Sequence, residues 1–280
     1  MFSDMKRIYL ILALITIFPF LFFANGILPA QDQKAIDDML QFRLNTFSMP
    51  VDKALETLNS YKEDFFLTES GYNYSGETRI IIENYILLEK CDCLDEIIPD
   101  HPDKEPLLKA QKKKMTDWFE AHKKEELSSW FYCSYAAMIS NYLEYQNVFA
   151  KLEEGLLAKQ YLEKALELDP KMSFAQIGLA LWYYFAPAIS GGSVKKALSY
   201  CEDAVKSARN DGELFVAKFY QSQFFLEKGK KTEYKTAMDS LKQISSSARK
   251  VKLLEKLNNA GYTYFDYQDN RTKLQKKLGL

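Results

Sequence analysis

Glycine and proline are scarce in this sequence, and their scarcity bears on the fold. Only 11 glycines and 8 prolines occur in 280 residues, whereas aromatic residues make up 14%. Sandwiches and barrels need a turn after each short strand, and turns use glycine and proline. Few turn-forming residues, together with many bulky apolar ones, favour long helices joined by short loops.

Net charge is also nearly absent. The chain carries 37 Lys and Arg against 38 Asp and Glu, a formal charge of −1. Proteins that coat nucleic acid neutralise its phosphates with an excess of basic side chains. The balance therefore argues against nucleic acid as a partner.

Metal and redox chemistry have few candidate residues. The chain has two histidines, and its four cysteines form no Cys-x-x-Cys pair. Cys91 and Cys93 are too close on a helix for ordinary disulfide geometry, while Cys133 and Cys201 lie in apolar helical patterns typical of buried thiols. No pattern places two carboxylates in one pocket with split pKa values. We therefore expect no metal, no cofactor and no catalytic residues, so that the protein is not an enzyme.

The N-terminal segment 1–30 has the pattern of an export signal. Two basic residues precede an uncharged apolar run, as in a secretory signal peptide. The small residues Ala24 and Gly26 favour cleavage after Gly26, with a weaker option after Ala30. The run is also long enough to remain as an uncleaved membrane anchor. Both alternatives place the rest of the chain outside the cytoplasm, either periplasmic or secreted, or membrane-anchored on the extracytoplasmic side.

Apolar residues recur at steps of three and four along the rest of the chain, the spacing of a one-sided helix. No segment sustains the period of two that a strand requires, so the sequence predicts an all-α fold. At one break, Gly191 and Gly192 are interpreted as a left-handed turn with Ser193 capping the next helix. Helices are predicted over 51–66, 77–90, 106–122, 127–150, 153–168, 173–187, 194–207, 213–228, 231–244 and 253–265.

A spacing of small and apolar residues repeats in the C-terminal half. Ala158-x3-Leu162-x2-Ala165 recurs as Ala197-x3-Cys201-x2-Ala204 and as Ala237-x3-Leu241-x2-Ile244. A small residue at such a position lets the two helices of a hairpin approach closely, and the larger residues fill the gap to the next hairpin.

This pattern resembles the tetratricopeptide repeat (TPR), including Pro170 at the end of the first copy. Tyr183 falls in a matching first-helix position, while Gln176 replaces the family's tryptophan. The third copy keeps little of the first-helix signature. The resemblance covers about 139–245 and implies a TPR-like array of antiparallel helix hairpins, an α-solenoid.

A narrower resemblance begins at Gly178. A helix that ends near Pro187, a Gly-Gly turn and an alanine-containing second helix resemble the periplasmic T component of TRAP transporters. That family implies a TPR-like partner of an extracytoplasmic solute-binding protein, in agreement with the export signal. The chain lacks the family's lipoprotein cysteine near the cleavage region, and segment 31–130 does not align.

The TPR resemblance also implies a partner-binding groove, because the first helix of each TPR lines the concave side. Ser173 is taken as the first position of the second unit, and the preceding unit follows the same register. Such a mixed groove suits a peptide or the edge of another protein, although Phe174, Ile177 and Leu181 could instead pack between helices. The expected groove residues are Ser140, Leu143, Asn147, Phe174, Ile177, Leu181 and Tyr184.

Three regions are predicted: the signal or anchor 1–30, a helical region 31–138, and TPR-like repeats with a C-terminal capping helix over 139–280. The expected function is non-catalytic binding of another extracytoplasmic protein, in concrete form a TRAP-type solute-binding protein. A small organic ligand is a further expected partner, and membrane contact is expected only through an uncleaved N-terminal segment. A structural envelope scaffold and a small-molecule carrier with an apolar cavity stay open as alternatives.

Overall fold

The computed structural model describes residues 26–60 and 74–280. Within these ranges the chain contains thirteen α-helices, two 3-10 helices and no strand, which confirms the all-α prediction for this part of the chain. The 3-10 helices are Leu143–Tyr145 and Ala188–Ser190. The α-helices are α1 (Ala30–Phe47), α2 (Val51–Asn59), α3 (Gly76–Ile97), α4 (Lys104–His122), α5 (Ser129–Tyr142), α6 (Val148–Leu168), α7 (Ser173–Phe185), α8 (Val194–Ser207), α9 (Asp211–Glu227), α10 (Lys231–Ser245), α11 (Arg249–Asn259), α12 (Tyr264–Asp269) and α13 (Arg271–Leu278).

Two sequence predictions fall partly outside the described residues. These are the export signal 1–30 and the end of the predicted helix 51–66. Among the helices that the structure describes, none is both long and apolar enough to cross a bilayer.

Neighbouring helices pair along the chain, most closely in α5/α6, α7/α8 and α9/α10. The repeated small residues Ala158, Ala197 and Ala237 are all buried. Successive pairs also touch: a Cβ added to Gly178 on α7 would lie 2.6 Å from Leu162 Cδ2 on α6. Glycine at that position therefore lets α6 and α7 pack closely.

Side-chain caps set several helix starts. Ser128 Oγ accepts a hydrogen bond from the Phe131 backbone N–H at 3.1 Å, which satisfies a donor that the first turn leaves free. As the sequence predicted, Gly191 is left-handed (φ 93°), and Ser193 Oγ accepts from the Lys196 N–H at 3.4 Å.

The predicted helix 127–150 is wrong at its end. The helix α5 stops at Tyr142, a 3-10 turn follows, and α6 begins at Val148. The reason is Asn147, whose side-chain oxygen accepts hydrogen bonds from two backbone N–H groups of the next turn and so starts a new helix. Apolar spacing continues through this point, so periodicity did not reveal the break.

The predicted helix 253–265 also contains a break. The helix α11 ends at Asn259, and Gly261 is left-handed (φ 84°). Thr263 and Asp266 then form a capping box that starts α12.

One large core spans the chain from Leu28 to Phe265, and the predicted boundary between 138 and 139 falls inside α5. Helix α1, which is not among the predicted helices, packs against α3 and α9. Both ends of the described chain contact α3, where Glu89 pairs with Arg43 of α1 at 3.3 Å and Glu96 pairs with Arg249 of α11 at 2.6 Å. The helices consequently surround an interior space.

Candidate functional site

The interior space is a cavity of about 900 Å³, here called the central cavity. It is bounded by residues of α1, α3, α5, α6, α7, α9, α11 and α12. This volume and an apolar wall are typical of small-molecule sites. The apolar wall includes Phe47, Leu88, Leu143, Leu152, Leu156, Phe174, Ile177, Leu181, Phe215 and Phe219.

The structure brings most of the sequence-predicted groove residues together at this cavity. Asn147 and Tyr184 are not among the lining residues. The cavity is lined by Ser140, Leu143, Phe174, Ile177 and Leu181.

Asn147 and Tyr184 have structural partners instead. The Asn147 oxygen caps α6 by accepting from the Phe149 and Ala150 N–H groups, both at 3.1 Å. The Tyr184 ring packs against Phe265 with centroids 4.9 Å apart. Burial, reinforced by nearby Glu227, raises the pKa of Tyr184 to about 12.

Sequence reasoning missed the cavity residues supplied by α1 and by the C-terminal helices. Arg43 and Phe47 come from α1, Lys250 from α11 and Tyr264 from α12. A signal for α1 was present in its apolar spacing. The buried apolar residues of α1 are Ala35, Ile36, Met39, Leu40, Leu44 and Phe47.

One end of the cavity is bordered by a group of charged side chains, here called the ion cluster. Glu89 is fully buried and lies 3.3 Å from a nitrogen of each of three cations, Arg43, Arg249 and Lys250. Two further carboxylates neutralise the remaining charge. The ion cluster comprises Arg43, Glu89, Asp92, Glu96, Arg249 and Lys250.

The Asp92–Lys250 pair stays ionised at the cavity wall. Lys250 Nζ lies 2.8 Å from Asp92 Oδ2, and the Lys250 and Asp92 side chains are 14% and 42% exposed. Burial by itself would raise the pKa of Asp92, but Lys250 outweighs it and holds that pKa below its ordinary value. Burial likewise opposes the charge on Lys250, but the neighbouring carboxylates outweigh it and raise its pKa. Each charge therefore depends on its partner.

The thiols show no activation. All four cysteines are free and buried, which confirms the expectation for Cys133 and Cys201. Burial raises the pKa of Cys133, which lines the cavity, to about 12. Such a group remains a thiol at neutral pH and is a weak nucleophile. Within residues 26–60 and 74–280, no group of three or more His, Cys, Asp or Glu side chains could hold a metal ion.

Exposed apolar side chains of α6 line one part of the cavity. Phe149 is 87% exposed and Leu152 is 53% exposed. Large exposed apolar groups that cluster beside a cavity mark a binding surface. This apolar rim consists of Val148, Phe149 and Leu152.

No protein-family model matches the chain, and no curated protein matches it significantly. The TPR and TRAP resemblances therefore rest on the residues that carry them. The central cavity and its apolar rim are the observations from which a function is inferred.

Proposed function

We propose that this chain is a non-catalytic carrier that holds a small apolar ligand in the central cavity. The observation that carries the proposal is an apolar-walled space of about 900 Å³, inside the range of small-molecule sites. The ionisable groups at the cavity favour binding over catalysis, because Asp92 and Lys250 neutralise each other and the Cys133 thiol is not activated.

The carrier is proposed to be a TPR-like array. In support, α5/α6, α7/α8 and α9/α10 are three consecutive close pairs, and the repeated small residues of their second helices are buried. The first helices α5, α7 and α9 all contribute to the cavity wall, as the TPR resemblance implies for a concave side.

A ligand-binding measurement tests the carrier function. Native mass spectrometry of the purified protein should show a retained small apolar molecule, or uptake of an added one. Leu156, 41% exposed on the cavity wall, has room for a larger side chain that intrudes on the ligand. Leu156→Trp should therefore weaken uptake roughly tenfold or more.

The matched control for Leu156→Trp is Ile98→Trp. Ile98 is 52% exposed at the end of α3 and does not line the cavity. The Ile98→Trp variant carries the same indole on the surface, so its ligand uptake should equal that of the unaltered protein. A protein that neither retains nor takes up an apolar molecule would contradict the carrier function.

A second candidate function is docking of an extracytoplasmic, TRAP-type solute-binding protein, and the apolar rim favours it. Phe149 projects into solvent, and exposed aromatic groups are frequent anchors of protein interfaces. The TRAP resemblance near Gly178 and the export signal 1–30 support this partner. The docked protein would exchange its small organic ligand with the cavity.

The docking function predicts loss of affinity on rim truncation. Phe149→Ala combined with Leu152→Ala should weaken binding of a purified TRAP-type solute-binding protein at least tenfold, because two apolar anchors are removed. Surface plasmon resonance measures the change. Ile97→Ala with Ile98→Ala, exposed elsewhere, should leave affinity unchanged. Equal affinities for the two double variants would exclude the rim as the docking surface. In a pull-down from envelope extracts, recovery of envelope assembly proteins alone would favour the scaffold function.

A further inference from the structure

Arg43 brings a guanidinium to the wall of an otherwise apolar cavity, and most of its donors are unused. Within the described residues its one hydrogen bond runs from Nη2 to Glu89 Oε2, at 3.3 Å. Its Nε atom is buried and has no partner. The terminal nitrogen Nη1 makes no hydrogen bond within the described residues and, unlike Nε, is not a buried atom, so its N–H groups are open to a partner at the cavity wall. Arg43 therefore points to an acceptor that enters the cavity.

Two tyrosines face the same cavity. Tyr220 comes from α9 and Tyr264 from α12, and within the part of the chain described neither hydroxyl is hydrogen-bonded. Burial raises the pKa of Tyr220 to about 12 and that of Tyr264 well above its ordinary value. Both phenols consequently stay protonated and can donate. The polar end of the cavity thus offers donors from three helices.

The other cation at the cavity wall near this end is already occupied. Lys250 Nζ lies 2.8 Å from Asp92 and 3.3 Å from Glu89, which neutralise it. The same pairing keeps Asp92 from repelling an incoming anion as a free carboxylate would. Arg43 is therefore the cation here with donors left to offer.

We propose that the central cavity binds an amphiphile whose apolar body lies against the hydrophobic wall and whose carboxylate is bound by Arg43, with Tyr220 and Tyr264 as further donors. The inference rests on the proposed carrier function and names its ligand class. A carboxylate fits because its two oxygens can accept parallel N–H bonds from one edge of a guanidinium. An alcohol cannot make both bonds, and an ammonium group would place a cation against Arg43.

Three probes with the same alkyl chain distinguish the contribution of the head group to affinity from that of the apolar wall. Calorimetry on the purified protein should give dodecanoate roughly tenfold to a hundredfold higher affinity than dodecanol, the range for hydrogen bonds to charged groups. Dodecylammonium should bind most weakly. Arg43→Met should lower dodecanoate affinity to the dodecanol level and leave dodecanol unchanged.

The matched control is Lys151→Met, which removes an exposed cation from the cavity mouth and should keep the preference for dodecanoate. Glu89 retains Arg249 and Lys250 when Arg43 is replaced. If Arg43→Met does not fold, Arg43→Lys serves as the second variant. It keeps the positive charge but lacks the pair of parallel N–H groups, so the preference for dodecanoate over dodecanol should fall at least tenfold.

The outcomes distinguish the carboxylate assignment from the carrier function. Equal affinity for dodecanoate and dodecanol, or a preference that survives replacement of Arg43, overturns the carboxylate assignment and leaves the carrier function standing. Failure to bind any of the three probes overturns both.

Discussion

Replacing Glu89 with glutamine is expected to destabilise the fold by about 3–5 kcal/mol, the cost of breaking a buried ion pair by removing one partner. Glu89 is fully buried, and Arg43, Arg249 and Lys250 each place a nitrogen 3.3 Å from its carboxylate. Glutamine keeps the size of the side chain and removes its negative charge. The three cations are then left with two carboxylates, Asp92 and Glu96.

The position of Glu89 enlarges the effect. It belongs to α3, whereas its partners come from α1 and α11, so one carboxylate joins segments from both ends of the described chain. Urea unfolding followed by circular dichroism should show the loss as a lower transition midpoint.

Glu83→Gln is the control on the same helix. Glu83 pairs with Lys114 at 2.6 Å, but their side chains are 30% and 50% exposed. Solvent screens such a pair, so its loss should cost less than about 1 kcal/mol. Similar transition midpoints for the two variants would show that the ion cluster does not stabilise the packing of α1 and α11 on α3.

Phe131→Ala is the second change with a large expected cost, about 3–5 kcal/mol. The ring is fully buried on α5 and lies 6.0 Å from Tyr135 and 6.3 Å from Phe119, measured between centroids. Truncation removes apolar surface from the core and leaves a void that dense surroundings fill only in part. Thermal and urea unfolding measure the loss.

The same substitution at Phe149 should change stability by no more than about 0.5 kcal/mol, because that ring is 87% exposed. The pair Phe131→Ala and Phe149→Ala thus compares one chemical change inside and outside the fold. A comparable loss at both positions would mean that Phe149 is covered in the folded protein and is not part of an apolar rim.

Helix positions were predictable wherever a turn-forming residue coincides with the end of an apolar stripe. Pro170 separates α6 from α7, and the Gly191-Gly192 turn precedes α8. The breaks at Asn147 and Gly261 were missed, because the apolar spacing continues across them. A cap and a left-handed glycine act on one residue, whereas periodicity averages over many.

The candidate site was predictable only in part, for a related reason. The register of first helices placed Phe174, Ile177 and Leu181 on one side, and the structure puts all three on the cavity wall. It also included Asn147 and Tyr184, whose side chains cap α6 and pack against aromatic rings. Spacing within a helix shows which residues share a face, but not what that face meets.

Local periodicity and turn chemistry were sufficient for the all-α fold and for most helix limits, because backbone hydrogen bonds in helices join residues a few positions apart. The cavity and its charges depended on tertiary packing. Arg43 and Lys250 approach Glu89 across separations of 46 and 161 residues. In the sequence each looks like an ordinary charge on a solvated helix. Only the docking of α1 and α11 on α3 brings them together at the cavity wall, where Arg43 has one hydrogen bond and further donors left over.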